Sequence, residues 1–506
     1  VHNFNGTTYH IAVLIAETTI VAVEFTINIR TCMHNMRNVL ALTRGTSIIA
    51  LLTLIISLSV QSNAHADTKP WSLNTVLETP DWLSISGSSR IRYETLDEQF
   101  RAGGNGDDQI MVFRTNILAL VTWEQWDFAF EVLDSRQAHA DDSTTISSGD
   151  VNPLDVLQLH AKWNYFSDEN SNASLRLGRF TMDVGSRRLV GRNKFRNAIN
   201  AFTGIDWQKK YTNGQQIRAF YTLPVQRLPR EFERRERNRT EGDKQDTEVS
   251  FWGTYYKFPQ STLLSWQSNA EVFYFGLNEN DTHNRPTRNR DIHTVGGRVF
   301  KNKAKSQFDY QLEGAYQFGE SRASTAASDR EDLDHRAFFA RAELGYSFDA
   351  MWSPRFIGQF DYASGDDDPN DGDNNRFDTL FGLRRFDFGP VGIYGPFSRA
   401  NIVSPGVRLQ LKPGSSVSMF IAHRAYWLAS DRDAWVVARV RDPEGDSGSY
   451  LGQQLEGRLR WDIVPENIRW ELGAAYYFKS GFAQDAPNAN DEGDSNFAYS
   501  QLTFSF

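Results

Sequence analysis

Alternation with a period of two residues, renewed about eighteen times, constrains this chain more than any other property. Over 308–318, Phe308, Tyr310, Leu312, Tyr316 and Phe318 share one face of an extended strand, and Asp309, Gln311, Glu313 and Gln317 the other. Side chains alternate across a strand, so each such segment has an apolar face and a charged one. Phe338, Ala340, Ala342, Leu344, Tyr346 and Phe348 likewise oppose Arg341, Glu343 and Ser347. Leu451, Leu455, Leu459 and Trp461 oppose Gln454, Glu456, Arg458, Arg460 and Asp462, and Ile468, Trp470, Leu472, Tyr476 and Phe478 oppose Arg469, Glu471 and Lys479. The pattern recurs near 85–96, 109–123, 125–137, 154–166, 173–181, 202–211, 215–223, 247–258, 270–277, 291–300, 354–364, 400–412 and 416–428, and in the final residues.

Period two fits a soluble sheet protein as well as a barrel in a membrane. A mean hydropathy of −0.51 is too polar for a bundle of membrane helices. Yet 13% of the residues are aromatic, as girdles at two membrane interfaces require. No helical domain is large enough to cover so much sheet. The expected fold is therefore all-β, a transmembrane antiparallel β-barrel of about 18 strands, with apolar faces toward lipid and charges around a wet lumen. Short connections such as 349–352 and 464–467 read as periplasmic turns. Long ones at 139–153, 225–246, 278–290, 320–335, 365–399, 429–449 and 481–496 read as outward loops or plugs.

The last strand, 498–506, places Leu502, Phe504 and Phe506 on one face and Gln501, Thr503 and Ser505 on the other. It resembles the terminal recognition strand of bacterial outer-membrane barrels, which implies Leu502, Phe504 and Phe506 as the membrane-assembly signal. At the other end, Arg37 and Arg44 precede an apolar run over 48–60, followed by Ala64-His65-Ala66. A basic flank, a short apolar core and an A-x-A site make 33–66 a secretory signal peptide. Residues 1–32 read as an upstream extension of a doubtful start, and 67–506 as the barrel. The expected location is the outer membrane of a Gram-negative bacterium after signal removal. Outer-membrane lipid and the barrel-assembly machinery follow as partners.

Cys32, the only cysteine, lies upstream of that cleavage site, so no disulfide scaffold, iron–sulfur site or cysteine nucleophile is expected. The formal charge of −9 argues against a nucleic-acid partner. HExxH, G-x-S-x-G, phosphate-binding Gly-Lys-Ser/Thr and Gly-x-Gly-x-x-Gly are absent. The acidic run Asp366, Asp367, Asp368, Asp371 and Asp373 resembles a calcium loop, but Pro369 takes a ligand position and the twelfth position is Asp378 instead of Glu. A solvated acidic loop is the plainer reading, with weak Ca²⁺ bridging left open. No cofactor or catalytic residue is expected, although some outer-membrane barrels are enzymes.

Alternation turns many basic residues inward: Arg114, Lys162, Arg176, Arg218, Arg341, Arg408, Arg424, Arg458, Arg460 and Arg469. Guanidinium groups are permanently charged and match carboxylates in shape, so rings of them select anions. The competing reading pairs them with Asp309, Glu131, Glu313, Glu343, Glu456 and Glu471 in a neutral structural network.

Two stretches resemble the alginate export family of outer-membrane proteins. One is Leu177-Gly178-Arg179 with Gly185-Ser186-Arg187-Arg188-Leu189-Val190-Gly191; the other runs from Phe377 through Arg384-Arg385-Phe386-Asp387-Phe388-Gly389-Pro390 to Ile393-Tyr394-Gly395-Pro396-Phe397-Ser398-Arg399. The resemblance implies a monomeric eighteen-stranded barrel whose arginine-rich constriction passes an acidic polysaccharide outward. It adds Arg179, Arg187, Arg188, Arg384, Arg385 and Arg399 to the pore set, and a periplasmic export scaffold to the partners. An anion- or sugar-selective uptake porin has the same lumen and remains the alternative.

Overall fold

The computed structural model describes residues 70–506 except 105, 142–143, 145, 260–267, 282–285, 327 and 491–492. The expected signal peptide (33–66) and the expected upstream extension (1–32) lie outside the described residues. Among the described residues twenty strands form, of which β8 (Lys244–Gln245) and β15 (Asp373–Asn374) are two-residue pairings on loops. The other eighteen make the wall: β1 (Leu83–Asp97), β2 (Asp108–Trp123), β3 (Trp126–Ala138), β4 (Asn152–Ser167), β5 (Ser171–Phe180), β6 (Phe202–Tyr211), β7 (Gln216–Gln226), β9 (Val249–Lys257), β10 (Asn269–Glu279), β11 (Asp291–Lys301), β12 (Gln307–Ser321), β13 (Leu333–Ser347), β14 (Arg355–Ala363), β16 (Ile402–Leu411), β17 (Val417–Trp427), β18 (Tyr450–Val464), β19 (Ile468–Lys479) and β20 (Ser495–Ser505).

Each wall strand pairs antiparallel with the next, and β20 returns to β1 with Leu502 opposite Ile91 and Thr503 opposite Arg90. Phe506 completes that seam: its N–H donates to the Gly87 carbonyl at 3.0 Å, and its own carbonyl accepts from Gly87 at 2.8 Å. Closure leaves no unpaired edge, which is the condition for sheet in hydrocarbon.

Large apolar side chains lie exposed on the outer face in two belts. Trp123, Phe128, Trp163, Tyr165, Phe308 and Phe356 sit toward the short turns, and Tyr221, Tyr316, Phe318, Phe338, Phe360 and Phe478 toward the long loops. The wall begins and ends at the short-turn end.

The lumen departs from the simple expectation of a polar interior. Phe220, Phe251, Phe275, Phe339, Tyr426 and Tyr477 are buried at inward positions. They pack against Met182, Leu189, Val190, Phe377, Val391, Tyr394 and Phe397, which belong to the connections 181–201 and 364–401. Both connections leave the long-loop end and fold back into the barrel. They convert inward aromatics into an apolar core, where full burial of one such side chain stabilises by about 1.5–3 kcal/mol.

Candidate functional site

The two inserted segments meet each other before they meet the wall. The Phe381 N–H donates to the Leu189 carbonyl at 2.9 Å, Leu383 to Arg187 at 2.9 Å, and Gly191 to Phe381 at 3.2 Å. Gly382 permits this approach: a Cβ there would lie 1.7 Å from the Arg188 carbonyl oxygen. Gly389, Gly392 and Gly395, at φ of 94°, 94° and 79°, let the second segment turn within a narrow space.

One buried carboxylate joins both segments to the barrel. Asp387 accepts from Arg188 (2.9 and 3.1 Å), Arg399 (2.5 Å) and Arg341 (3.2 Å). Burial pushes its carboxyl up, but these three guanidiniums outweigh that and hold it well below the usual carboxylate range. Arg341 and Arg424 also share Asp361 at 2.5 and 2.6 Å. The stretch 194–197 is fixed by hydrogen bonds to its carbonyls. Arg90 donates to Lys194 at 2.8 Å and Phe195 at 3.0 Å, Arg92 to Phe195 at 2.6 Å, and Arg114 to Lys194 at 3.1 Å and Arg196 at 3.0 Å.

Beneath this assembly a cavity of about 670 Å³ opens toward the short turns. Its wall carries Arg90, Arg114, Arg408, Arg458, Arg460 and Arg469; the inserted segments contribute Arg187, Lys194, Arg196, Arg384 and Arg385. The acids on this surface are Asp462, Glu466 and Glu471. Arg385 pairs with Glu456 at 2.6 Å, Arg460 with Glu471, and Arg469 with Asp462 at 2.6 Å. Arg90, Arg114, Arg187, Lys194, Arg196, Arg384, Arg408 and Arg458 have no carboxylate partner among the described residues. Arg408 and Arg458 instead stand over the Phe420 ring, at 4.8 and 4.6 Å from its centre.

A second cavity of about 340 Å³ lies toward the long loops, lined by Arg101, Arg196, Arg227 and Arg384 with Asp108 and Asp150. Arg196 and Arg384 belong to both cavities and so stand at the boundary between the two halves of the lumen. Burial, then the like charges of Arg196, Arg101 and Arg399, lowers the Arg384 guanidinium to about 9. A cation burdened in this way gains most from an arriving anion.

Of the arginines singled out from sequence, Arg114, Arg187, Arg384, Arg385, Arg408, Arg458, Arg460 and Arg469 come together around the main cavity. Arg179 (with Asp155, 3.3 Å), Arg188, Arg218 (with Asp206, 2.7 Å), Arg341 and Arg399 are locked in ion pairs that brace the lumen. Lys162 and Arg176 line a separate recess. Each of the six inward acids named above holds an arginine: Glu131–Arg192, Glu313–Arg188, Glu343–Arg341, Glu456–Arg385, Glu471–Arg460 and Asp309–Arg355. Sequence reasoning passed over Arg90 and Arg92. The alternation Arg90-Ile91-Arg92 has the same R-x-R form as Arg458-Leu459-Arg460 and carries the same signal.

Gln501, Thr503 and Ser505 line the main cavity, which places Leu502, Phe504 and Phe506 on the opposite face of β20. In the loop 366–373, Asp368 accepts from the Asn370 N–H at 3.1 Å and Asp371 from Asp373 at 2.8 Å. Among the described residues no three His, Cys, Asp or Glu groups gather as a metal-binding set.

A closed eighteen-stranded wall, aromatic belts outside and a basic lumen narrowed by inserted segments define an outer-membrane channel of the porin class. Solved structures share this fold. OpdQ of Pseudomonas aeruginosa aligns with a TM-score of 0.51 at 12% identity, over 84% of this chain and 97% of its own. OpdK of the same organism, solved with vanillate, aligns at 0.52 and 11% identity, over 83% and 99%. OccK8 (OprE), also from that organism, aligns at 0.52 and 11%, over 84% and 98%. No curated protein matches the chain. The family model Alginate export matches residues 81–494, and the chain belongs to that family.

Proposed function

We propose that this channel passes an anionic polyuronate, an alginate-like polysaccharide, outward across the outer membrane without covalent chemistry. The observation that carries this reading is the set of eight cations without carboxylate partners around the main cavity, two of which, Arg196 and Arg384, continue into the second cavity. Ion-paired arginines already have their anion; these eight have charge left for a carboxylate in transit. Their spread over β1, β2, β16, β18 and both inserted segments lets successive carboxylates move between weak sites, as conduction requires. An acidic polysaccharide, a periplasmic scaffold that delivers it, and a monomeric channel are parts of the same proposal.

Current through the purified protein in planar bilayers tests it. Anion preference and block by oligouronates are expected. Arg196→Gln with Arg384→Gln should cost ~1 kcal/mol of anion stabilisation, lowering the anion-to-cation permeability ratio about fivefold. Cation preference in the unaltered protein overturns the reading. A second reading, uptake of small carboxylates, draws on the fold shared with the vanillate-bound OpdK. It predicts block by monomeric acids alone and normal polymer secretion in a deletion strain.

A further inference from the structure

Lys162 and Arg176 point into the lumen but away from the main cavity, and the space they share has no role in the path described above. It is a recess of about 280 Å³ on the arc of β4, β5 and β6, near the short turns and formed by other strands than those around the main cavity. Strand register builds it in rows. Lys162 stands opposite Arg176 across β4 and β5; Arg176 faces Asp206, Ser174 faces Gln208, and Asn172 faces Lys210 across β5 and β6. His160 completes the lining, so every side chain around the recess is polar. The main cavity, by contrast, includes Phe195, Leu383, Phe386, Val391 and Phe420.

The donors here are only partly engaged. Asp206 is occupied by two guanidiniums, Arg176 at 2.6 Å and Arg218 at 2.7 Å, so it holds them in place and has little left for a third cation. Arg176 is further set by stacking over Phe180 at 4.0 Å, and its Nε has no hydrogen-bond partner. Lys162 reaches Asp127 at 3.1 Å, but both are partly exposed, and such pairs are worth at most about 1 kcal/mol, so the ammonium is easily drawn away. Asn172, Ser174 and Lys210 have no side-chain partner among the described residues.

We propose that this recess is a docking site for a single carboxylated sugar unit. The carboxylate would meet Lys162, Lys210 and the outer nitrogens of Arg176, and the ring hydroxyls would meet Asn172, Ser174 and Gln208. An all-polar lining gives an aromatic acid no apolar surface to bury, whereas a hydroxylated carboxylate matches both the charge and the neutral donors. The site would hold one unit of the polymer beside the main cavity, on the side from which export begins. It deepens the channel reading and rests on it.

Titration of D-glucuronate into the purified full-length protein, with D-glucose as the neutral control, tests the site. Lys162→Gln with Lys210→Gln, both at the solvent-facing rim, should weaken glucuronate binding about tenfold by removing two charge-assisted contacts, with glucose showing no binding to either protein. Unchanged glucuronate affinity in the double variant overturns the site, as does equal binding of glucose. Binding abolished by Arg196→Gln with Arg384→Gln but kept in the lysine variant also overturns it, since the sugar then lies in the main cavity. Lysine-dependent binding in a protein that prefers cations supports the recess and sinks the channel reading, so the two failures are distinct.

Discussion

Three arginines from three parts of the chain converge on Asp387: Arg188 and Arg399 in the inserted segments and Arg341 on β13. Replacing Asp387 with Asn leaves Arg399 without a carboxylate among the described residues, and Arg188 and Arg341 with only Glu313, Asp361 and Glu343 to offset their buried charge. The expected loss is about 3–5 kcal/mol, to be read from thermal or denaturant unfolding in detergent, with wider current fluctuations in bilayers. Two other loop carboxyls respond to pH in opposite senses. Burial raises Asp378, but Arg290 and Arg288 bring it down to about 2, below the ~3.9 of an unfolded chain. Its contribution is complete above pH ~4 and is lost as pH falls toward 2. Asp243 is raised to about 6, first by burial and then by Asp155. Its protonated form is favoured in the fold, so the arrangement around it is firmest below pH ~4 and weakens as pH rises through 6, by up to about 3 kcal/mol. The Leu228 N–H, which donates to Asp243 at 2.8 Å, reports this locally. Its hydrogen exchange should accelerate between pH 4 and 7 beyond the intrinsic rate, and Asp243→Asn should flatten that dependence. An unchanged profile in the variant would mean that another group controls the loop.

At the level of elements, the narrowest tolerance lies where the inserted segments cross. A methyl group on Gly382 has no room beside the Arg188 backbone, and no flexible side chain stands there to yield. Gly382→Ala should part the segments while leaving the wall intact. The expected result is normal yield of folded barrel with a larger single-channel conductance; an unaltered conductance would place the barrier elsewhere. The eighteen wall strands were legible in the sequence because each must present an apolar face to lipid and a polar face inward, which imprints period two directly. The lumen core was not. Phe220, Phe251, Phe275, Phe339 and Tyr426 occupy inward positions within otherwise polar faces, and their partners are loops whose path no local pattern records. The same cause hid the division among the arginines. Arg341 and Arg458 carry the same alternation signal, yet Arg341 is consumed by Asp361 and Asp387 while Arg458 reaches only the Phe420 ring. Which fate each meets depends on residues tens of positions away.

For the molecule as a whole, the wall and the inserted segments are separate structures joined by buried ion pairs. The wall closes through the β1–β20 seam and does not need the inserted segments for its ladder, since β14 pairs directly with β16 from Arg355 opposite Gln410 to Ala363 opposite Ile402. A short Gly/Ser linker in place of residues 376–399 therefore spans the gap between neighbouring strands. Its removal takes away Arg384, Arg385, Asp387 and Arg399 together, strips the cover from Phe251, Phe339, Tyr426 and Tyr477, and leaves Arg188, Arg341 and Arg424 with fewer partners. Two opposed effects follow. The wall should still assemble, though less stably, because the lumen core and the Asp387 pairs are gone. The pore should widen, and a wider aqueous path screens the remaining cations: beyond a Debye length of ~8 Å at physiological salt, charges on the wall no longer act on an ion at the axis. The deletion should therefore conduct several times more current with weaker anion preference, and the preference that survives should fall further as salt is raised. If anion preference persists undiminished at high salt, the wall arginines Arg90, Arg114, Arg408 and Arg458 are sufficient as the filter, and the inserted segments serve only to narrow the lumen.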